Sequence, residues 1–310
     1  MILRAKVYKS TGSLYIVKDE NGVFWTARIR GRLKIDKSIK ATNPIAVGDY
    51  IQMLVESKED KTAIITQIEK RKNYIVREAP QNRNQRHIIA ANMDEAVIVA
   101  TINNPRTSNG FIDRFLLTAE AYHLKASIIF NKADLLLNED RETWEILAAI
   151  YKNIGYNVFT IQATNDEDIK KLQTHLQGKT TLFSGHSGVG KSTIVNALIP
   201  DLKLKTLEVS KTSGKGQHST TFAEMFDLNE QTQIIDTPGV KEFGIVDMDK
   251  YELAHYFPEI KNLSVGCKFN NCLHINEPQC NVKEALGHEV SFLRYDSYLG
   301  ILDSLPKTDY

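Results

Sequence analysis

Residues 185–192 read Gly-His-Ser-Gly-Val-Gly-Lys-Ser and fit the pattern G-x-x-x-x-G-K-[ST]. The β-prone run Thr180–Phe183 precedes them, and Thr193–Leu198 follows with helical spacing. Glycines let a backbone wrap an anion, and the N–H groups that open the following helix then point at its oxygens. A strand, a phosphate-cradling loop and a helix in this order predict an α/β domain that binds a nucleoside triphosphate.

Individual side chains of this loop suit particular parts of the nucleotide. Lys191 would reach the β- and γ-phosphates, and the Ser192 hydroxyl would bind Mg²⁺, a hard cation that prefers oxygen ligands. A glycine-rich turn with a chance lysine is the alternative, and the flanking strand and helix argue against it. The predicted nucleotide contacts are Gly185, His186, Ser187, Gly188, Val189, Gly190, Lys191, Ser192 and Thr193.

A second motif, Asp-Thr-Pro-Gly, follows the apolar strand Gln233–Ile235. In parallel α/β sheets the binding side chains gather at the carboxyl ends of the strands. Asp236 at this edge could hold the Mg²⁺ shell, and the N–H of Gly239 could meet a γ-phosphate.

A third motif, Asn131-Lys132-Ala133-Asp134, follows the apolar strand Ser127–Phe130. The Asp134 carboxylate could accept hydrogen bonds from N1–H and the exocyclic amine of guanine, an arrangement that adenine lacks. Alone, such a tetrapeptide is often only a strand-to-helix turn. Beside the other two motifs it predicts that the nucleotide is GTP.

The order of the motifs is unusual. An ordinary small GTPase carries its phosphate loop first and its base-reading motif last, whereas here Asp134 precedes Lys191. We therefore predict a circularly permuted GTPase. From about Asn92 to Cys280 the chain resembles the bacterial ribosome small subunit-dependent GTPase A family, whose members carry a permuted GTPase between a small β-barrel and a zinc-binding tail. The resemblance implies hydrolysis of GTP to GDP and phosphate, late maturation of the small ribosomal subunit, and rRNA binding.

Gln162-Ala163-Thr164 follows a predicted strand at the position where GTPases usually place a Ser-Ala pair. The backbone N–H of Ala163 would meet O6 of guanine there. Gln162 departs from the usual serine, a change that a backbone contact tolerates.

The polar, glycine-rich run Lys211–Thr221 predicts a mobile switch loop. The family pattern G-x-H-T-T-T favours Thr221 over Thr220 as a Mg²⁺ ligand, although this chain has serine at the first threonine position. Many GTPases orient water with a glutamine after the D-x-x-G glycine, but Val240 stands there. The resemblance assigns the catalytic role to His218, whose imidazole can donate and accept protons; a solvated loop histidine is the alternative.

The three cysteines of the chain lie together near its C-terminal end. With a nearby histidine they make a closed set of soft ligands, typical of one structural zinc ion, whereas disulfide frameworks use more cysteines. His288 or His255 could replace the histidine of the set. The predicted zinc ligands are Cys267, Cys272, His274 and Cys280.

The N-terminal segment reads as short strands separated by turns, and about five such strands suggest an OB-like β-barrel. Residues 1–75 hold 15 Lys and Arg against 8 Asp and Glu, which suggests a nucleic-acid surface. A solvated basic face is the alternative, and Trp25 itself belongs in the core rather than in a stack. The predicted strands are Leu3–Tyr8, Ser13–Val17, Val23–Ile29, Asp49–Val55 and Thr62–Ile68. The residues offered for RNA contact are Arg28, Arg30, Arg32, Lys34, Lys37 and Lys40, with Phe24, Trp25 and Tyr50 for stacking.

The segment from Lys70 through Arg86 is polar and basic, and we predict a linker there. The predicted domains are an OB-like barrel over 1–72, a permuted GTPase over 73–245 and a zinc-binding helical module over 246–310. The sequence has no apolar run of about 18 residues and no secretory leader, so we expect a cytoplasmic monomer without a membrane partner.

Two other classes of function fit parts of the pattern. A P-loop kinase would need an acceptor before GTP disappears, and a pure binding module would bind GTP without turnover. Loss of GTP without an added acceptor would exclude the kinase, and sustained turnover with added ribosomal subunits would exclude the binding module.

Overall fold

The computed structural model describes residues 1–30, 44–79, 82–202, 204, 223–237 and 248–305. Along these ranges the chain forms a β-barrel, then an α/β domain, then a helical module. Among the described helices, none has the length and apolar character needed to span a membrane.

The barrel is closed, as predicted. Strand β1 pairs antiparallel with β2 and with β4, β3 pairs parallel with β5, and β4 pairs antiparallel with β5. In β3 the side chains alternate, with Trp25 and Ala27 buried and Phe24 exposed, so one face fills the barrel. Its strands are β1 (Ile2–Ser10), β2 (Tyr15–Asp19), β3 (Phe24–Ile29), β4 (Tyr50–Ser57) and β5 (Thr62–Ile68).

The linker predicted from Lys70 through Arg86 is wrong. The chain instead forms an antiparallel hairpin of β6 (Tyr74–Ala79) and β7 (Asn82–Ala91). Apolar residues of both strands pack beneath it, among them Ile75 and Ile89. The polar residues between them obscured this pattern in the sequence.

The α/β domain has a parallel sheet in the order β10-β9-β8-β11-β13, continued by the antiparallel strand β12. Every residue of β8 is buried, which fits a strand covered on both faces. The elements are β8 (Glu95–Ala100), α1 (Asn109–Ala121), β9 (Lys125–Phe130), α2 (Asn138–Ile154), β10 (Asn157–Thr160), α3 (Asp166–Leu176), β11 (Thr180–Ser184), α4 (Lys191–Leu198), β12 (Glu224–Asn229) and β13 (Thr232–Asp236).

Helices cover the two faces of this sheet with separate cores. Phe115 of α1 and Tyr151 of α2 belong to one core, and Leu172 of α3 and Ile194 of α4 belong to the other. Ser108 caps α1 by accepting a hydrogen bond from Phe111 N. The predicted α/β class and the placement of the motifs after parallel strands are confirmed.

The barrel and the α/β domain share one continuous sheet. Strand β1 pairs with β12 at Lys9 and Glu224, and the side chains of the same two residues form an ion pair of 2.9 Å. Tyr8 of β1 is buried in a core of the α/β domain. The barrel is therefore fixed to the strand that precedes β13 in the chain.

The C-terminal part is a small helical module. It comprises a 3₁₀ helix over Leu253–Tyr256, α5 (Pro258–Ser264), α6 (Asn281–Glu284) and α7 (Phe292–Ser304). Tyr298 and Ile301 of α7 are buried in the module core, to which Leu117 of α1 also belongs. Phe292 and Leu293 in the first turn of α7 are exposed, at 60% and 40%, whereas the next residue, Arg294, is buried.

Candidate nucleotide and metal sites

The phosphate-cradling loop turns between the end of β11 and the start of α4. Gly185 has a φ of +152°, and a Cβ there would lie 2.5 Å from the carbonyl oxygen of Val99. Gly190 has a φ of +88°, and a Cβ there would lie 2.3 Å from Asn131 Nδ2. Both positions therefore require glycine. Helix α4 begins at Lys191, so its N-terminus opens onto the loop as the motif predicts.

The base-reading motif lies beside this loop. Asn131 is buried at the end of β9 and donates a hydrogen bond from Nδ2 to the carbonyl oxygen of Val189 at 2.8 Å. Lys132 adopts the left-handed conformation, with a φ of 63°. Asp134 follows in a single 3₁₀ turn and is exposed, so its carboxylate is free to meet a base.

The loop that contains Ala163 adjoins the base-reading motif. Ala133 N donates to Ile161 O at 3.2 Å, and Ile161 N donates to Phe130 O at 2.9 Å. Asp168 of α3 accepts a hydrogen bond from Gln162 N at 2.9 Å. These bonds bring Ala163 to the same edge of the sheet as Asn131, Lys132 and Asp134.

Asp236 ends β13 next to the phosphate-cradling loop. Its Oδ1 accepts a hydrogen bond from Lys191 Nζ at 2.5 Å, and the same ammonium donates to Thr237 O at 2.7 Å. Thr237 Oγ1 donates in turn to Phe183 O at 2.8 Å, which ties the strand ends together. Lys191 thus neutralises a carboxylate that is only 8% exposed.

Three predicted site residues, His218, Thr221 and Gly239, lie outside the described residues, as does the rest of the predicted switch loop.

The cysteines and histidine near the C-terminal end converge as the spacing predicts. All four ligand atoms of Cys267, Cys272, His274 and Cys280 lie within 4.8 Å of one another. Cys267 Sγ is 3.9 Å from Cys280 Sγ and 3.6 Å from His274 Nδ1, and that Nδ1 is 3.4 Å from Cys280 Sγ. Tetrahedral zinc bonds imply about 3.8 Å between sulfurs and about 3.5 Å between sulfur and nitrogen. The donor set therefore fits zinc in size and chemistry.

The histidine of the cluster is His274. His255 and His288, the alternatives left open by the sequence, are exposed and are not members of the cluster. Burial lowers the pKa of His274, which keeps its imidazole neutral and able to bind a metal. Burial also raises the pKa of the Cys280 thiol, so a thiolate there calls for a bound cation.

Neighbouring groups hold the loop that carries His274. Glu277 accepts hydrogen bonds from Leu273 N at 2.9 Å and Ile275 N at 2.8 Å. Tyr295 and Tyr298 of α7 donate to His274 O and Leu273 O, at 2.5 Å and 3.0 Å. The ligand loop is thus shaped without relying on a metal alone.

The predicted RNA surface of the barrel is only partly within the described residues. Arg32, Lys34, Lys37 and Lys40 lie outside them. Trp25 is buried and donates to Asp19 at 2.8 Å, which confirms its place in the core. Phe24 is 45% exposed, Tyr50 is half-buried beneath the guanidinium of Arg4, and Arg28 pairs with Glu56.

Sequence reasoning missed the loop Thr101–Ser108, which lies between the phosphate-cradling loop and the base-reading motif. Thr107 contacts His186, and Asn104 O accepts a hydrogen bond from Lys132. In the sequence, only the pair Asn104-Pro105 and the helix-capping Ser108 indicated a structured loop at this position.

Two family descriptions match the chain. The RsgA N-terminal domain matches residues 5–65, and the RsgA GTPase matches residues 68–246. A small ribosomal subunit biogenesis GTPase RsgA from Flavobacterium johnsoniae is 52% identical over 299 residues, which cover 96% of this chain and 92% of the relative. The RsgA of Christiangramia forsetii is 48% identical, with coverage of 97% and 96%.

Solved structures agree with these matches. YjeQ from Thermotoga maritima superposes with a TM-score of 0.77 at 30% identity, covering 98% of this chain and 99% of that one. YloQ, a circularly permuted GTPase, superposes with a TM-score of 0.71 at 29% identity and covers 99% of this chain and 97% of that one. Its permutation agrees with the motif order here. The chain therefore belongs to the RsgA GTPase family and is a GTP hydrolase.

Proposed function

We propose that GTP binds where β9, β10, β11 and β13 end. The observation that carries this proposal is the hydrogen bond from Asn131 Nδ2 to Val189 O, because it joins the base-reading motif to the phosphate-cradling loop. One nucleotide then spans both. Asp134 accepts hydrogen bonds from guanine, the N–H of Ala163 donates to O6, and Lys191 binds the β- and γ-phosphates.

Ser192, Thr221 and Asp236 would hold the Mg²⁺ that accompanies GTP, and the ion would offset the negative charge of the phosphates. Ser192 lies in the first turn of α4, and Asp236 contacts its neighbour Lys191 at the end of β13. The ion pair of Lys191 with Asp236 supports this assignment. If the ammonium turned to the phosphates, the Asp236 carboxylate would be free to hold the cation.

For hydrolysis we assign His218 to the attacking water and the N–H of Gly239 to the γ-phosphate. The assignment rests on the family pattern and on Val240, which leaves the usual glutamine position without a polar group. His218→Ala should bind GTP normally and hydrolyse it about 10²–10⁴-fold more slowly.

Zinc is assigned a structural role, because three thiolates and one imidazole fill a tetrahedral shell and leave no position for a reactive water. The ion would hold the loops between α5 and α7. The proposed domains are therefore an RNA-binding barrel over 1–72, a GTPase domain over 73–245 and a zinc-binding helical module over 246–310.

The curated relatives are named small ribosomal subunit biogenesis GTPases. We propose the same partner here, with rRNA bound by the barrel and the zinc module, hydrolysis stimulated by the subunit during late maturation, and a cytoplasmic monomer as the working form. The excess of basic residues in the barrel supports RNA binding.

The test is GTP turnover by the whole chain alone, with purified small ribosomal subunits and with large ones. We expect strong stimulation by small subunits only, falling steeply as salt rises because phosphate contacts dominate RNA affinity. Equal stimulation by both subunits, or none, would reject the proposed partner while leaving the GTPase assignment intact.

A further inference from the structure

The loop Thr101–Ser108 is braced internally and faces the phosphate-cradling loop. Thr107 N donates to Thr101 O at 2.9 Å, and Thr101 N donates to Thr107 Oγ1 at 3.0 Å. Thr101 Oγ1 donates to Pro105 O at 2.5 Å. These bonds fix the Thr107 hydroxyl in place before any nucleotide arrives.

That hydroxyl lies 2.7 Å from Nε2 of His186, the second residue of the phosphate-cradling loop. Nδ1 of the same ring lies 3.1 Å from Ser187 O. A carbonyl can only accept, so Nδ1 carries the proton and donates to Ser187. In this tautomer Nε2 accepts a hydrogen bond from the Thr107 hydroxyl, whose oxygen also accepts one from Thr101 N. Phe111 packs against the ring edge, with 5.6 Å between ring centroids.

The bond to Ser187 O has a consequence for the next residue. In a planar trans peptide the C=O and the following N–H point in opposite directions. Holding Ser187 O toward the imidazole therefore turns the N–H of Gly188 away from the ring, and an N–H in a phosphate-cradling loop can donate to an anion.

We propose that His186, held by Thr107, is a positioning residue that fixes the Ser187–Gly188 peptide with its N–H directed at a nucleotide phosphate. The inference rests on the proposed nucleotide site and adds to it a side chain that need not touch the nucleotide. A polyphosphate nucleotide is the ligand that benefits, because the base is read elsewhere by Asp134.

The test measures equilibrium binding of fluorescent GDP and of a non-hydrolysable GTP analogue to the full chain, together with its melting temperature. His186→Ala should lower the affinity for both nucleotides about threefold to thirtyfold, the range expected when a hydrogen bond to a charged phosphate is partly lost. The melting temperature should stay nearly unchanged, because His186 is only half-buried. Normal affinity in His186→Ala would overturn the proposal, as would a loss that merely follows a fall in melting temperature.

Conservative variants identify the atom responsible. Asn places an amide N–H near the position of Nδ1, so His186→Asn should keep more affinity than His186→Gln, whose amide lies near Nε2. Thr107→Ser keeps the hydroxyl and should bind as the unaltered chain does. Thr107→Val should weaken binding, and the double variant His186→Ala with Thr107→Val should be no weaker than the poorer single variant.

Lys191→Ala separates this proposal from the nucleotide site itself. Loss of binding in Lys191→Ala with normal binding in both His186→Ala and Thr107→Val would reject only the positioning role. Normal binding in Lys191→Ala would reject the site.

Discussion

Arg294 of α7 donates a hydrogen bond from Nη1 to Oδ1 of Asp113 in α1, at 2.6 Å. Both side chains are buried, at 2% and 0% exposure. Arg294 Nε also donates to Glu259 at 2.7 Å, and Tyr151 donates to Asp113 at 2.8 Å. Although burial opposes a charge, the two carboxylates raise the pKa of Arg294, so the guanidinium stays charged. This network joins the C-terminal helical module to the α/β domain.

Arg294→Met should lower the free energy of unfolding by about 3–5 kcal/mol, because it leaves the carboxylates of Asp113 and Glu259 buried without their cation. Urea unfolding of the two proteins measures the difference. Arg114→Met is the matched control, because Arg114 of α1 also contacts α7, but through an exposed hydrogen bond to Ser304. This substitution should lower the free energy of unfolding by less than about 1 kcal/mol. Equal losses in both variants would contradict the assigned role of the buried network.

The sequence predicted the parts of the fold and of the sites whose residues lie close together in the chain. The phosphate-cradling loop, the base-reading motif and the cysteine cluster each occupy a few neighbouring residues, so their chemistry can be recognised without the fold. The pair of Arg294 and Asp113 spans 181 residues, and neither residue belongs to a motif. The pairing of β1 with β12 is equally long-range, since edge strands carry no local mark of their partner.

The nucleotide base offers a second prediction. Asp134→Asn should lose GTP affinity and gain affinity for xanthosine triphosphate, because the exocyclic donor of guanine is an acceptor in xanthine. Competition binding against a fluorescent nucleotide measures both. Asp140→Asn, in the first turn of α2, is the control and should keep the preference for GTP. Equal binding of ATP and GTP by the unaltered chain would remove the guanine assignment.

Metal content gives a third prediction. Purified protein should contain one zinc ion per chain, measured by elemental mass spectrometry, and Cys280→Ala should lose it. Because structural zinc supplies roughly 10–16 kcal/mol of apparent folding free energy in small modules, hydrogen exchange should quicken over residues 248–305 far more than in the α/β sheet. His288→Ala should keep the metal. An intact, metal-free C-terminal module would count against the site.

Glu95, buried at the amino end of β8, gives a prediction about how stability depends on pH. Burial alone would raise the pKa of Glu95, but hydrogen bonds from His175 and Lys179, both 2.8 Å, and from Ser127 lower it to about 2. A carboxyl with a depressed folded-state pKa stabilises the fold above its unfolded pKa, and this contribution disappears as pH falls through the folded value.

Glu95→Gln should therefore be less stable than the unaltered chain by about 1–3 kcal/mol at pH 7. The difference should hold down to the ordinary glutamate pKa of 4.5 and shrink between there and about 2. Denaturant unfolding at successive pH values tests this, with exposed Glu145→Gln as control. A difference that stays constant through pH 3 would mean that the charge of Glu95 is not what stabilises the fold.

The last prediction concerns the seam where β1 of the barrel meets β12. Asp227 of β12 accepts hydrogen bonds from Tyr8 at 2.6 Å and from Lys18 at 2.7 Å, so one carboxylate holds two barrel strands. Strands β12 and β13 form an antiparallel hairpin, and β13 ends at Asp236 beside Lys191. A force on the barrel therefore reaches the proposed Mg²⁺ ligand through two paired strands.

Asp227→Ala should leave basal GTP turnover nearly unchanged, because the residue lies at the far end of the hairpin from the nucleotide. It should lower stimulation by small ribosomal subunits, because barrel and hairpin would move independently. Glu230→Gln, an exposed change in the same hairpin, is the control. Deleting the barrel is a poorer test, since removing β1 also takes the buried Tyr8 from the α/β core and leaves the edge of β12 unpaired. If Asp227→Ala is stimulated as strongly as the control while subunit binding is unchanged, the seam does not carry the signal from the barrel to the GTPase.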